Sequence, residues 1–243
     1  MSEVKEIKDL NIKLFADGAD LEGILNLNND PLIKGFTTNP TLMKAAGITN
    51  YEDFAKTVLK TIKDKPISFE VFADDYENIV KQAEKIATWQ DNVNVKIPIM
   101  NTKGEFSGKI IEKLSMQNIS LNITAIMTSE QVKKLLDFLN PNSHSIISVF
   151  AGRIADTGVD PEEVMRTVKE LLKNHSNAEL LWASPRELYN IYQAENCDCD
   201  IITIPHALTK KFSVINKDLI EYSKETVEMF YNDALESNFN IDT

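Results

Sequence analysis

The chain has 243 residues, of which 43% are hydrophobic, 8 are Gly and 8 are Pro, which suits one compact domain with a sizeable core. Its formal net charge is −11 with no basic cluster, so it is a poor binder of nucleic acid or of an anionic membrane surface. No run approaches about 18 consecutive apolar residues and the start lacks the form of a signal peptide, so we expect a soluble, cytoplasmic protein.

Apolar, β-branched runs alternate with amphipathic stretches along the whole chain. The alternation predicts eight strands, at residues 13–17, 32–36, 66–72, 92–100, 120–125, 145–150, 178–183 and 200–204. Helical periodicity predicts helices between them, at residues 21–27, 51–62, 75–89, 107–114 and 185–195 and finally at 217–236. Two further helices are predicted with Ser129 and Asp160 as their N-caps.

This order of strand and helix, repeated about eight times, predicts an α/β fold. We expect one single-domain (β/α)8 TIM barrel over residues 1–243, with residues 217–236 as a C-terminal helix. An open doubly wound sheet is the alternative. The closed barrel is favoured because the count fits and because no glycine-rich phosphate-binding motif follows the first strand.

The fourth predicted strand carries a lysine among apolar neighbours. Lys96 shares one face with Asn92 and Asn94, and the opposite face consists of Val93, Val95 and Ile97. A charged lysine in such a strand is costly, because desolvation disfavours the ammonium. Lys96 is therefore either a solvated or salt-bridged lysine or an amine nucleophile that condenses with a ketone to a Schiff base.

Strand parity predicts a cluster of polar side chains inside the barrel. If the apolar face of each strand packs on the helices, Phe150 points inward, Ala125 points outward, and six polar side chains point into the lumen. These six are Asp17, Glu70, Lys96, Asn122, Thr124 and Ser148. They lie near the C-terminal strand ends, where barrel enzymes have their active sites. A structural network of ion pairs is the alternative.

Two arginines follow the later strands. Arg153 lies in Phe150-Ala-Gly-Arg-Ile154, and Arg186 lies in Ala183-Ser-Pro-Arg186, two residues after Ser184. Each arginine alone is most simply a surface cation. Two arginines at neighbouring loops, with a serine beside one of them, suit a phosphate group.

The two cysteines, Cys197 and Cys199, form a CxC motif. The motif is weak evidence for a metal site, because the chain has three His and no second pair of cysteines. Reduced thiols at the start of a strand are the simpler interpretation.

Six motifs, taken in order, resemble those of the transaldolase family and its relatives, the fructose-6-phosphate aldolases, from about Lys13 to the last strand. The motifs are Phe15-Ala-Asp17, Gly35-Phe-Thr-Thr-Asn-Pro-Thr41, Val95-Lys-Ile-Pro98, Asn122-Ile-Thr124, Ser148-Val-Phe-Ala-Gly-Arg-Ile154 and Ala183-Ser-Pro-Arg186. The barrel of this family is circularly permuted relative to other Schiff-base aldolases, which suits a lysine on the fourth strand.

The resemblance implies a transaldolase of the non-oxidative pentose phosphate pathway. Such an enzyme transfers a dihydroxyacetone unit from fructose 6-phosphate or sedoheptulose 7-phosphate to an aldose phosphate. Lys96 would form the Schiff base, and Asp17 would accept the proton of the C4 hydroxyl. Glu70 and Thr124 would hold a water that shuttles protons. The residues implied to bind substrate are Asn39, Asn122, Ser148, Phe150, Arg153, Ser184 and Arg186.

The imine supplies the electron sink, so no metal and no organic cofactor is expected, and the partners implied are sugar phosphates. A homo-oligomer stays open, because the C-terminal helix can either cover the barrel or dock on a neighbouring subunit.

Two positions favour the transferase over the alternative, a lyase that releases free dihydroxyacetone. Glu70 and Phe150 stand where the aldolase branch typically carries Gln and Tyr. A catalytically silent barrel is the third hypothesis, and it predicts a missing motif member, of which we find none. Trp182 and Pro185 depart from the Gly and Phe usual in the family, and Pro185 can displace Arg186.

Overall fold

The computed structural model describes residues 4–237 and 239–241. Eight parallel strands form a closed barrel in sequential order, and the last strand pairs with the first. The strands are β1 Lys13–Asp17, β2 Ile33–Thr37, β3 Ile67–Glu70, β4 Val93–Pro98, β5 Leu121–Ile126, β6 Ser145–Val149, β7 Ala178–Trp182 and β8 Ile201–Pro205. The prediction of a single-domain (β/α)8 barrel is confirmed.

Helices surround the barrel and follow its strands. They are α1 Leu21–Asn28, α2 Pro40–Ala45, α3 Tyr51–Thr61, α4 Tyr76–Ala87, α5 Gly108–Met116, α6 Ser129–Leu136, α7 Ala151–Asp156, α8 Pro161–Leu172, α9 Asn190–Asn196, α10 His206–Thr209 and α11 Leu219–Glu236. Asp or Asn side chains cap most of the longer ones by accepting a backbone N–H of the first turn.

One predicted N-cap and one predicted helix start are wrong. Thr128, not Ser129, caps α6, and it forms a capping box with Gln131. The helix expected from residue 185 begins at Asn190 instead. The Asn190 side chain accepts hydrogen bonds from the backbone N–H groups of Arg186 and Glu187, so the segment after β7 forms a loop before the helix begins.

The interior of the barrel is apolar at its lower, N-terminal end. Phe15, Ile146, Leu181 and Ile201 point inward and form a cluster separate from the core between strands and helices. Gly35 on the neighbouring strand makes room for the Phe15 ring, because an ideal Cβ on Gly35 would lie 2.6 Å from Phe15 Cζ. The apolar cluster closes the lower half of the lumen and leaves the upper half to polar side chains.

The C-terminal helix α11 stands apart from the barrel. It has no buried residue, and Ile220, Val227, Phe230 and Tyr231, which the periodicity places on one face, are all exposed, Ile220 to 80%. Within the described chain, α11 therefore does not cover its own barrel. None of the described helices has the length and apolar character needed to cross a membrane.

Candidate active site

A cavity of about 450 Å³ opens at the C-terminal ends of the strands. It is the place where barrel enzymes bind their ligands. Of the eleven site residues that the sequence predicts, all except Arg186 line it. The ten are Asp17, Asn39, Glu70, Lys96, Asn122, Thr124, Ser148, Phe150, Arg153 and Ser184.

Lys96 is held at the centre of a row of three side chains on adjacent strands. The parallel register aligns Glu70 of β3 with Lys96 of β4, and Lys96 with Asn122 of β5. Lys96 is 6% exposed, and its Nζ lies 3.1 Å from Glu70 Oε2 and donates to the Thr38 carbonyl at 3.1 Å. The amine is thus buried, paired with one carboxylate and aimed into the cavity.

Asp17 is held at the end of β1 by a pair of threonines. Thr37 Oγ1 donates to Asp17 Oδ1 at 2.7 Å, and Thr37 and Thr203 hydroxyls lie 2.5 Å apart. Since Thr37 gives its only hydroxyl proton to Asp17, Thr203 is the donor to Thr37. Burial raises the pKa of Asp17 above its ordinary value, against the opposing effects of Lys96 and Thr37.

The two threonines were not predicted as site residues. Thr37 follows Phe36, the last residue of the predicted second strand, so the alternation rule does not assign it to a face. Thr203 stands between Ile202 and Ile204 on β8. The alternation rule that placed Lys96 inside the barrel therefore also identifies Thr203.

A hydrogen-bonded chain orients the side chain of Asn122. Ser148 Oγ donates to Asn122 Oδ1 at 2.7 Å, and Asn122 Nδ2 donates to Ser68 Oγ at 3.0 Å. All three residues are buried. The chain fixes which end of the amide donates and which accepts, so this wall of the cavity presents a preorganised set of polar groups.

The end of β5 is irregular where it meets the cavity. The ladder with β6 shifts register between Ile123 and Ile126, and Ala125 has φ of 60°. Ala125 was predicted to face the helices, but it lines the cavity, because the bulge breaks the alternation. Next to it, Thr124 Oγ1 is buried and has no hydrogen-bond partner within residues 4–237 and 239–241.

The opposite rim carries a cation and a strained turn. Arg153 lines the cavity, is exposed, and places its guanidinium carbon 5.4 Å from the centroid of the Phe150 ring. Ser184 has φ of 63°, and α7 approaches it so closely that an ideal Cβ on Gly152 would lie 1.6 Å from the Ser184 carbonyl oxygen. Asn39, at the N-cap of α2, accepts from Leu42 N–H, which leaves its Nδ2 as the donor for a ligand.

Arg186 is the predicted site residue that the structure does not bring to the cavity. Its Nε donates to Asp156 Oδ1 at 3.1 Å, and its Nη2 pairs with Asp156 Oδ2. The guanidinium lowers the pKa of Asp156. Pro185 was expected to displace Arg186, but the competing partner is the Asp156 carboxylate at the end of α7.

The CxC motif lies before β8, at the barrel end opposite the cavity. Both thiols are buried and free, and burial raises the pKa of Cys197 to about 11. A thiol that stays protonated is a poor metal ligand. Both cysteines belong to the main hydrophobic core.

Comparisons with known proteins agree with the fold and the motifs. The family model described as Transaldolase/Fructose-6-phosphate aldolase matches residues 14–243. A protein of Nitrosopumilus maritimus named "Probable transaldolase" is 32% identical over 203 residues, which are 82% of this chain and 86% of that protein. A protein of Thermoplasma volcanium with the same name is 33% identical over 202 residues, 82% of this chain and 86% of that protein. Among solved structures, KGPDC from Streptococcus mutans shares the fold, with a TM-score of 0.53, 14% identity and coverage of 83% of this chain and 90% of that one.

Proposed function

Because the chain belongs to the transaldolase/fructose-6-phosphate aldolase family, we propose that it is a transaldolase that works through a Schiff base on Lys96. It transfers dihydroxyacetone from a ketose phosphate, fructose 6-phosphate or sedoheptulose 7-phosphate, to an aldose phosphate. One observation carries the proposal. The buried Lys96 Nζ faces the cavity 3.1 Å from Glu70 Oε2, and a second carboxylate, Asp17, lines the same cavity.

In the first half of the reaction Lys96 attacks the C2 ketone of the substrate, and the C2 oxygen leaves as water when the imine forms. Glu70 accepts the ammonium proton, and the unpartnered Thr124 hydroxyl helps it to hold the water that carries protons during imine formation. The protonated imine then withdraws electrons from the C3–C4 bond. That bond breaks when Asp17 accepts the proton of the C4 hydroxyl, so the aldose phosphate leaves and the three-carbon enamine stays on Lys96.

The second half reverses these steps with a different aldehyde. The enamine carbon attacks the acceptor aldose phosphate, and Asp17 returns its proton to the new hydroxyl. The raised pKa of Asp17 suits this role, because a group that takes and returns a proton works best when its pKa lies nearer the working pH. Water then releases the new ketose phosphate from Lys96.

The remaining cavity residues bind the sugar phosphate. Asn122 and Ser148, already ordered by their hydrogen bonds, contact the dihydroxyacetone hydroxyls together with Asn39. Arg153 and Ser184 bind the phosphate at the rim. Arg186 joins them only after it exchanges Asp156 for the phosphate, since both bind the same guanidinium.

The alternative is a lyase that releases free dihydroxyacetone. Glu70 and Phe150 favour transfer, because a carboxylate and a phenyl ring cannot donate hydrogen bonds to a water that attacks the three-carbon imine. A Gln and a Tyr at these positions would donate. Transfer between sugar phosphates is a step of the non-oxidative pentose phosphate pathway, and the two free, buried thiols suit the cytoplasm, where that pathway operates.

Reductive trapping tests the proposal. Borohydride added with fructose 6-phosphate is expected to leave a reduced three-carbon adduct on Lys96, located by peptide mass mapping. Lys96→Met abolishes both adduct and turnover. Lys13→Met is the control, because Lys13 pairs with Glu179 at the other end of β1 and should leave both unchanged. An adduct on another lysine would refute the assignment, and no adduct with no turnover would support a silent barrel.

A product assay separates the two enzymes. With a transaldolase, fructose 6-phosphate is consumed only when erythrose 4-phosphate is present, and little free dihydroxyacetone appears. Free dihydroxyacetone that accumulates without erythrose 4-phosphate supports the lyase.

The proposal includes a homo-oligomer. The exposed apolar residues of α11 favour contact with another copy, because burying them against a like chain removes them from water. Phe230→Asp places a charge on that face and should lower the molar mass measured by light scattering. A monomeric wild-type chain would contradict this part of the proposal.

A further inference from the structure

His206 occupies a narrow slot directly beside the strand end that carries Asp17. In the β1–β8 ladder Asp17 pairs with Pro205, and His206 follows as the first residue of α10. Its ring lies between two glycines. An ideal Cβ on Gly18 would lie 2.6 Å from His206 Nε2, and one on Gly23 would lie 2.6 Å from His206 Nδ1. The imidazole therefore packs against the backbone on both sides of the turn from β1 to α1.

Two carboxylates and one ammonium influence the charge of this ring. The carboxylates are Asp20, at the N-cap of α1, and Asp17, at the end of β1, and each favours the protonated imidazole of His206. Asp20 Oδ2 also accepts a hydrogen bond from Gly23 N–H at 2.8 Å. Lys210 opposes them from the end of α10. Burial lowers the pKa of His206, and both carboxylates act against that effect. His206 Nε2 is buried and makes no hydrogen bond to any residue in the described part of the chain.

We propose that His206 is a positioning residue for Asp17. Its ring holds the turn at which Asp17 leaves β1, and its protonated form keeps Asp17 ionised in acid. The inference rests on the proposed role of Asp17 as proton acceptor. The residue acts through Asp17 and does not touch the substrate, since it is absent from the residues that line the cavity.

The direction of the effect follows from the charges. When the solution becomes more acidic, Asp17 and His206 compete for protons. A proton on His206 attracts the Asp17 carboxylate and opposes its neutralisation, so the two groups titrate as a coupled pair. Without the imidazole, Asp17 takes up its proton at a higher pH. The acid limb of the pH profile of kcat/KM, which reports the groups of the free enzyme, should then move to higher pH.

The coupling can be measured without any enzyme assay. The chain has three histidines, so their ring protons can be followed individually by NMR, with His206→Gln used to assign the His206 signal. Asp17→Asn removes one of the carboxylates that influence the charge of the ring. We expect the titration midpoint of His206 to fall in Asp17→Asn, while that of His175, in the loop between α8 and β7 at the opposite end of the barrel, does not move.

The catalytic consequence is tested by the pH dependence of kcat/KM in His206→Asn, with His175→Asn as the matched control. We expect the acid limb to move upward in the first variant and to stay in place in the second. An unmoved His206 midpoint in Asp17→Asn overturns the inference, as does an unmoved acid limb in His206→Asn. If the chain lacks transaldolase activity but the midpoint moves, the proposed function fails and the coupling stands.

Discussion

Thr37→Val is the change that tests the environment of Asp17 most directly. Valine has nearly the shape of threonine but no hydroxyl, so the substitution removes the bond of 2.7 Å to Asp17 Oδ1 and leaves the strand packing nearly intact. Because Thr37 is 3% exposed and valine fills nearly the same space, no solvent enters the position of the lost hydroxyl. The carboxylate form of Asp17 is destabilised, and its neutral form is affected much less.

The size of the effect follows from the charge on the acceptor. A hydrogen bond to a charged group contributes about 1.5–3 kcal/mol. At about 1.4 kcal/mol for each pKa unit, its loss raises the pKa of Asp17 by about 1–2 units. Under the proposed mechanism the acid limb of the kcat/KM profile reports the pKa of Asp17, so the limb moves by the same amount toward neutral pH. This shift adds to the rise in pKa that burial already causes.

The assay is the transfer rate from fructose 6-phosphate to erythrose 4-phosphate, measured across the acid range. Thr203→Val is the matched control. It removes the same contact between the two threonines but leaves the donor to Asp17 in place. Its acid limb should move far less than that of Thr37→Val. Equal profiles in the two variants would show that the Thr37 hydroxyl does not govern the ionisation of Asp17.

Three further changes test other parts of the site. Glu70→Gln should raise the ratio of free dihydroxyacetone to transferred product, and an unchanged ratio would remove the argument for the transferase branch. Gly152→Ala should destabilise the fold by about 1–3 kcal/mol in chemical unfolding and raise KM for phosphorylated donors, because the new Cβ displaces Ser184. Asp17→Asn should lower kcat by at least about 10²-fold. The pKa of Asp17 in the folded protein lies above its ordinary value, so the stability of the wild type falls as pH rises from the ordinary pKa to the folded one. Asp17→Asn cannot ionise and should not show this fall. Chemical unfolding at several pH values measures the difference.

The alternation of apolar and polar residues was sufficient to predict the barrel and most of its lumen. A strand has a period of two, so the burial of one face assigns every other residue to the opposite face. That rule places Lys96, Glu70 and Asn122 inside the barrel, and the parallel register then aligns them. It needs no knowledge of tertiary contacts.

The errors occur where the backbone leaves the regular strand. Ala125 lines the cavity because a bulge and a left-handed φ interrupt β5. Arg186 turns away because it pairs with Asp156, 30 residues earlier in the chain. The slot around His206 exists only because Gly18 and Gly23 come together in the folded chain. The last two features join residues far apart in sequence, and no local pattern predicts them.

The division of the lumen into two halves bears on whether Lys96 is only a structural ion pair. Apolar side chains such as Phe15 and Leu181 fill the lower half, so the barrel can be closed by apolar packing alone. Burying charged groups costs several kcal/mol each, and apolar residues of similar volume often stabilise a fold at least as well as a buried pair. A barrel selected only for stability has no need for an amine, two carboxylates and an open cavity in its upper half. The polar half is therefore better explained by what it binds and transforms than by what it holds together.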